Sequence, residues 1–240
     1  MSHSFTSDSQ DPVREAEEFL YILTHDLKAF ARAMRTIPDW IGEDLAAQRI
    51  VLSTDAADNL DMLRDYARRL DDTLTALTGL SRVGRLADPP AMHALEGLVT
   101  EVCNDLPAHP ALSHDIDCGG LSVTGPRNDL KRLFEAVLGN VAVHHDRDFG
   151  KLRVTATPWQ DRVQVVVTDD GPGIEPALWT AVFKPLATLH PKSETGRSGV
   201  GLAIAQKVVR SLHGEIAIIP TEAPRGLSLL FDLPRADGGH

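Results

Sequence analysis

Cysteine is scarce in this chain: Cys103 and Cys118 are the two present among 240 residues. They have neither the density of a disulfide framework nor the paired spacing of a metal site, so a reducing cytosol is the expected setting. Long apolar runs are missing as well. No segment approaches the roughly 20 apolar residues of a membrane span, and the opening MSHSFTSDSQDP lacks the apolar core of a signal peptide. The expectation is a soluble, cytoplasmic protein without its own extracellular sensor. Positive charge is short too: Lys and Arg total 24 against 34 Asp and Glu, a formal charge of −10. Nucleic acid and anionic lipid require clustered cations, so neither is expected as the main partner. No internal repeat or low-complexity tract is present.

What the chain does contain is ordinary globular material, 42% apolar and 24% charged, in a length suited to two compact units. Residues 1–12 read as a flexible tail. In residues 13–86, Leu20, Leu23, Leu27, Phe30, Met34, Ile37 and Ile41 recur alternately three and four apart, the spacing of a helix packed in a bundle. Leu60, Leu63, Ala67, Leu70, Leu74 and Leu77 form a second such seam. Ser53, Thr54 or Asp55 is placed to cap the second helix. Two helices with one apolar stripe each cannot enclose a core, so a homodimeric four-helix bundle is expected. Pro38 removes one backbone donor inside the first seam and should kink or break it locally.

The breakers in SRVGRLADPP mark a linker, and residues 87–240 follow a different pattern. Helical stretches near 94–106, 126–145 and 199–213 alternate with β-branched runs such as LRVTAT, RVQVVVTD, EIAIIP and LSLLFDLP. Helices on one face of a mixed sheet, an α/β sandwich, would satisfy that alternation. The whole chain is then α+β.

Five places carry chemistry. With Leu20, Leu23 and Leu27 at the seam positions, His25 falls at f, facing away from the seam and reachable, and Asp26 beside it could orient the ring. The run VVVTDDGPGI delivers Asp169 and Asp170 into a turn where Gly171 and Gly173 permit close approach, and Asp169 could accept a hydrogen bond from an exocyclic amine. In GRSGVGLAIAQKVV, Gly196, Gly199 and Gly201 precede a helix whose free amides and dipole suit phosphates. Between these runs, FKPLATLHPKSETGRS reads as a polar flap with Lys192 and Arg197 as phosphate partners. Earlier, the amphipathic KRLFEAVLGNVAVHH bears Asn140 and His144, and the Asn140 amide oxygen could coordinate magnesium.

In this order, these runs resemble the orthodox sensor histidine kinase catalytic core over about residues 17–234: a HisKA-type acceptor helix followed by a GHKL-type ATPase domain. YILTHDLKAF is similar to the family's H-box, which implies His25 as phospho-acceptor and Asp26 as its acidic neighbour. LGNVAVHH resembles the N-box, implying Asn140 as magnesium ligand with His144 beside nucleotide. DDGPGI resembles the G1 box, with Asp169 on adenine and Gly171 and Gly173 shaping the pocket. VFKPLATLHPKSE, with Phe183, is similar to the F-box and ATP lid. GRSGVGLA resembles the G2 box and implies that Ser198, Gly199, Gly201 and Leu202 lie at the phosphates.

The resemblance implies ATP and magnesium as cofactors, a homodimer, and a response regulator receiver domain as partner; no input domain is visible, and that absence motivates the expectation of a separate sensor acting in trans. The implied activity is ATP-dependent phosphorylation of His25 and transfer of the phosphoryl group to a regulator aspartate. Three departures stand out: Ala136 where the family often has a second Asn, Val143 where a basic residue is usual, and Ala29 in place of a polar residue after the acceptor. Ala136 and Val143 keep open an alternative, a non-catalytic histidine phosphotransferase with a degenerate ATP-binding domain. A third reading is an ATP-driven conformational machine or protein serine kinase on the same fold.

Overall fold

The computed structural model describes residues 12–85, 88–106, 111–188, 198–221 and 225–236, without the side chains of 12–18 and 20. The chain divides into two compact units between Ser81 and Arg82, and the fold is α+β.

The N-terminal unit is a helical hairpin of α1 (Pro12–Ala47) and α2 (Thr54–Arg82). Ser53 caps α2, its hydroxyl accepting the Ala56 amide at 3.3 Å. Helix α1 continues through Pro38; the break that proline allows does not occur. Arg64 Nε donates to Asp39 at 2.9 Å and Arg64 Nη2 to the Pro38 carbonyl at 3.3 Å, while Arg35 meets Asp71 at 3.4 Å. The pairings run in opposite directions along the two helices, so the hairpin is antiparallel.

The face of α1 turned inward is not the leucine-rich one. Thr24, Ala31 and Pro38, seven residues apart, are buried, as are Ala67 and Leu74 on α2. Leu23, Leu27, Phe30, Met34, Ile37 and Ile41 instead lie between 39% and 64% exposed, with Leu63 and Leu70 exposed on α2. Small inner residues let the helices approach closely. These side chains leave an apolar stripe on the outside of the hairpin, the kind of surface that marks an interaction site.

The C-terminal unit is a five-stranded sheet with helices packed on one face. The elements are β1 (Ala91–Ala94), α3 (Leu95–Asp105), β2 (Ala111–Asp117), β3 (Ser122–Gly125), α4 (Arg127–His144), β4 (Phe149–Trp159), β5 (Arg162–Asp169), α5 (Gly201–Ser211), β6 (Ile216–Ile219) and β7 (Ser228–Pro234). Strand order is β2-β4-β5-β7-β6, with β2 and β4 parallel and the other pairs antiparallel; β1 and β3 form a separate antiparallel pair.

Alternation on the central strands produces the core: Val163, Val165 and Val167 on β5 and Leu229, Phe231 and Leu233 on β7 are buried. Opposite them stand Leu130, Leu133, Phe134, Val137 and Leu138 of α4, with Phe134 and Phe231 at a ring separation of 5.9 Å. The helix α4 starts on a carboxylate, since Asp88 accepts the Arg127 and Asn128 amides at 2.8 and 3.1 Å. Packing of α4 and α5 on this sheet brings the C-terminal half of α4, the N-terminus of α5 and the turn after β5 to one end of the unit.

Candidate nucleotide site

At that end lies a cavity of about 110 Å³. It brings together Asn140 and His144 of α4, Asp169, Gly171 and Gly173 of the turn after β5, and Gly199, Gly201 and Leu202 at the start of α5. Eight residues singled out separately in the sequence, spread over more than 60 positions, thus share one concavity. Ile174, Val182 and Leu227 supply apolar walls.

Asp169 is set into the wall rather than projecting freely. Its Oδ1 accepts the Gly171 amide at 2.8 Å and the Leu227 amide at 3.2 Å. Burial raises its pKa above the ordinary carboxylate value, and those two N–H donors oppose the rise without cancelling it. With Oδ1 occupied, Oδ2 remains to accept a hydrogen bond from a ligand amine.

The turn is packed so tightly that two glycines are obligatory. Gly226, at φ +109°, has no room for a side chain because a Cβ would overlap the Asp169 carbonyl oxygen. Gly199, at φ +67°, brings the start of α5 against the Ala187 carbonyl, which lies 2.5 Å from where a Cβ would be.

Opposite Asp169, the 11-residue α5 begins at Gly201 without a side-chain cap. Its first-turn amides and the positive end of its dipole are left for an anion. Asn140 is half-buried and offers a neutral amide oxygen, a hard ligand of the type magnesium accepts while keeping water and phosphate oxygens in its remaining positions. Among the described residues no group of three His, Cys, Asp or Glu could hold a metal by itself. A magnesium ion that arrives with a triphosphate and takes one protein oxygen fits this donor set.

Two residues expected at the nucleotide stand apart from the cavity lining. Phe183 is buried in the hydrophobic core, and its neighbour Val182 faces the cavity instead. Ser198 is half-buried and is not among the lining residues. Lys192 and Arg197 lie outside the described residues. His25 and Asp26 belong to the other unit, on α1, where the His25 side chain is 70% exposed and its Nδ1 is 3.3 Å from Asp26 Oδ1.

Sequence reasoning passed over several groups that hold the site. Arg225 donates from Nε to the Gly171 carbonyl at 2.9 Å and from Nη2 to both Asp146 oxygens at 2.7 and 2.8 Å. That ion pair holds the Asp146 carboxyl below its usual pKa. The one available signal was the glycine of PRGLS standing next to a strand.

A phosphate-receptive helix start, an anchored carboxylate and a mixed sheet carrying helices on one face define a nucleotide-binding ATPase domain. Residues 125–237 match the family described as histidine kinase-, DNA gyrase B-, and HSP90-like ATPase, and the chain is similar to the catalytic cores of sensor histidine kinases. It is 30% identical over 234 residues to the methanogenesis regulatory histidine kinase FilI of Methanothrix harundinacea, covering 92% of this chain and 25% of that protein. The sensor histidine kinase RppB of Synechocystis is 27% identical, over 72% of this chain and 39% of that protein. The chain therefore spans a quarter to two fifths of the length of these relatives.

Among solved structures, full-length ShkA in complex with AMPPNP is similar in fold over 93% of this chain and 47% of that one, with a TM-score of 0.64 at 18% identity. The mycobacterial sensor histidine kinase MprB matches over 61% of this chain and 98% of that one, with a TM-score of 0.54 at 23% identity.

Proposed function

We propose that this chain is the cytoplasmic ATP-dependent kinase core of a two-component system, with residues 13–86 forming the dimerisation and phospho-acceptor domain and 87–240 the catalytic domain. The observation that carries the reading is the anchored Asp169 facing an uncapped helix start across one cavity. Adenine is held through its amine on Asp169, the phosphates lie at Gly199, Gly201 and the first turn of α5, and Asn140 supplies the protein oxygen to magnesium. Magnesium contributes neutralisation of phosphate charge. Positioning and charge neutralisation are what phosphoryl transfer requires.

The acceptor is His25. With the ring proton on Nδ1, donated to Asp26, Nε2 carries the lone pair. Nε2 attacks the γ-phosphorus, the bond from that phosphorus to the bridging oxygen breaks, and ADP leaves. A receiver-domain aspartate oxygen then attacks the phosphorus and the P–N bond breaks, returning free His25.

The test is to incubate the full chain with labelled ATP and magnesium and challenge the product with acid and alkali. Label that is lost in acid and retained in alkali is expected. Absence of label with intact ATP binding would favour the non-catalytic phosphotransferase, to which Ala136 and Val143 point. An acid-stable label would favour the serine kinase.

The exposed stripe on the hairpin supports a homodimer as the working state, because a second copy would cover Leu27, Phe30, Met34 and Ile37. Burying each such side chain stabilises by about 1.5–3 kcal/mol. The double substitution Met34→Glu and Leu63→Glu is expected to convert the dimer to monomer in sedimentation velocity, with helix content largely retained. A dimer that persists would place the interface elsewhere.

A further inference from the structure

His145 directly follows α4, lines the cavity, and carries a side chain with no solvent exposure. Its Nε2 lies 3.1 Å from Asp170 Oδ1, and the same oxygen accepts the Lys151 amide at 2.6 Å. The β4–β5 ladder ends at the pair Leu152 and Asp169, so the Asp170 carboxylate extends that ladder by one rung and ties it to the end of α4. Burial by itself would raise the Asp170 pKa; the Lys151 amide and His145 outweigh it and hold the group ionised below the ordinary range. With the proton on Nε2, Nδ1 accepts the Arg147 amide at 3.3 Å, so both ring nitrogens are bonded.

Room for the imidazole is provided by Gly150 on the neighbouring strand, where any Cβ would overlap Nε2. Asp170 is the residue between Asp169 and Gly171, and those two are joined by the bond from the Gly171 amide to Asp169 Oδ1. Releasing Asp170 therefore loosens the peptide planes on both sides of the carboxylate that faces the cavity. Arg225 grips the Gly171 carbonyl independently, so the turn would stay folded while losing its fixed orientation.

We infer that His145 is a positioning residue for the nucleotide: by holding Asp170 it keeps the Asp169 carboxylate oriented for the adenine amine. This rests on the proposed role of Asp169. Preorganisation of this kind acts on binding, because a loosened turn must be ordered again each time ligand arrives.

The test uses the full chain, ATP with magnesium, calorimetric affinity and the initial rate of self-labelling against ATP concentration. His145→Ala is expected to weaken ATP binding about tenfold, the effect of one buried charge-assisted hydrogen bond, with KM rising and the rate at saturating ATP unchanged. His145→Gln, which carries an N–H donor near the Nε2 position, is expected to restore most of the affinity. Gly150→Ala should expel the ring and reproduce the loss, yet add nothing in a chain already carrying His145→Ala.

Equal weakening by the Ala and Gln variants, following their thermal midpoints, would mean simple space filling and overturn the inference. Unchanged affinity in His145→Ala would also overturn it. Should His145→Ala not fold, the comparison of His145→Gln with Gly150→Ala decides: retained affinity in the first and lost affinity in the second supports the strut, and equal affinity refutes it. Asp169→Asn is measured alongside. If it binds ATP like the parent chain, the Asp169 reading fails and takes the inference with it, whereas loss in Asp169→Asn with none in His145→Ala removes only the inference.

Discussion

Replacing His25 with Gln is expected to abolish phosphate incorporation and leave ATP affinity unchanged. The side chain is 70% exposed on α1 and its one polar partner among the described residues is Asp26, the next residue. A substitution at so open a position costs within about 0.5 kcal/mol of stability, so the hairpin should keep its helix content and the proposed dimer. Glutamine removes the nucleophilic ring nitrogen and offers an amide nitrogen whose lone pair is delocalised. Self-labelling, circular dichroism and calorimetric titration with ATP together check the prediction. Label that persists in the variant would rule out His25 as acceptor and direct the search to other histidines, beginning with His144 at the cavity.

Asp169→Asn is expected to weaken ATP binding by about ten- to a hundredfold, corresponding to roughly 1.5–3 kcal/mol for a hydrogen bond to a buried charged group. Asparagine keeps an oxygen at the Oδ1 position, so the Gly171 and Leu227 amides remain satisfied and the turn remains folded. What changes is the atom facing the ligand, where an acceptor becomes an NH2 donor opposed to the adenine amine.

Stability should move the other way. Burial raises the Asp169 pKa in the folded state, so this group's contribution is most favourable below the unfolded-state pKa and is lost as pH rises through the higher folded value. At neutral pH the ionised carboxylate is thus a net cost, and Asp169→Asn removes it. The variant's thermal midpoint at pH 7 is expected to equal or exceed that of the parent chain. Low affinity joined to undiminished stability distinguishes a lost ligand contact from a damaged fold, and tight ATP binding by the variant would remove Asp169 from the adenine site.

Local signals in the chain were enough to place much of this. The apolar periodicities marked α1, α2, α4 and α5, and the β-branched alternation marked β4 to β7, because buried faces leave a repeat of three to four or of two that packing then uses. Strands β1 to β3 left no such trace. ALSHDID is an edge strand exposed at most positions, and the four residues of β1 pair, among the described residues, with β3 alone, so partners rather than composition make them strands.

The cavity divides in the same way. Asn140, Asp169, Gly199 and Gly201 were legible because glycines before a helix and a carboxylate closing a strand are themselves local arrangements. His145, Arg225 and Gly226 were not, since their roles depend on contacts with residues 25 to 79 positions away: His145 on Asp170, Arg225 on Asp146, Gly226 on the Asp169 carbonyl. The sequence by itself determined the helical seams, the exposed place of His25 and the glycine turns, each set by interactions within a few residues. Only the tertiary structure decided that α1 turns Thr24, Ala31 and Pro38 inward and its leucines outward, and which loops lock the Asp169 turn, because both depend on shape matching between segments that the chain brings together only when folded.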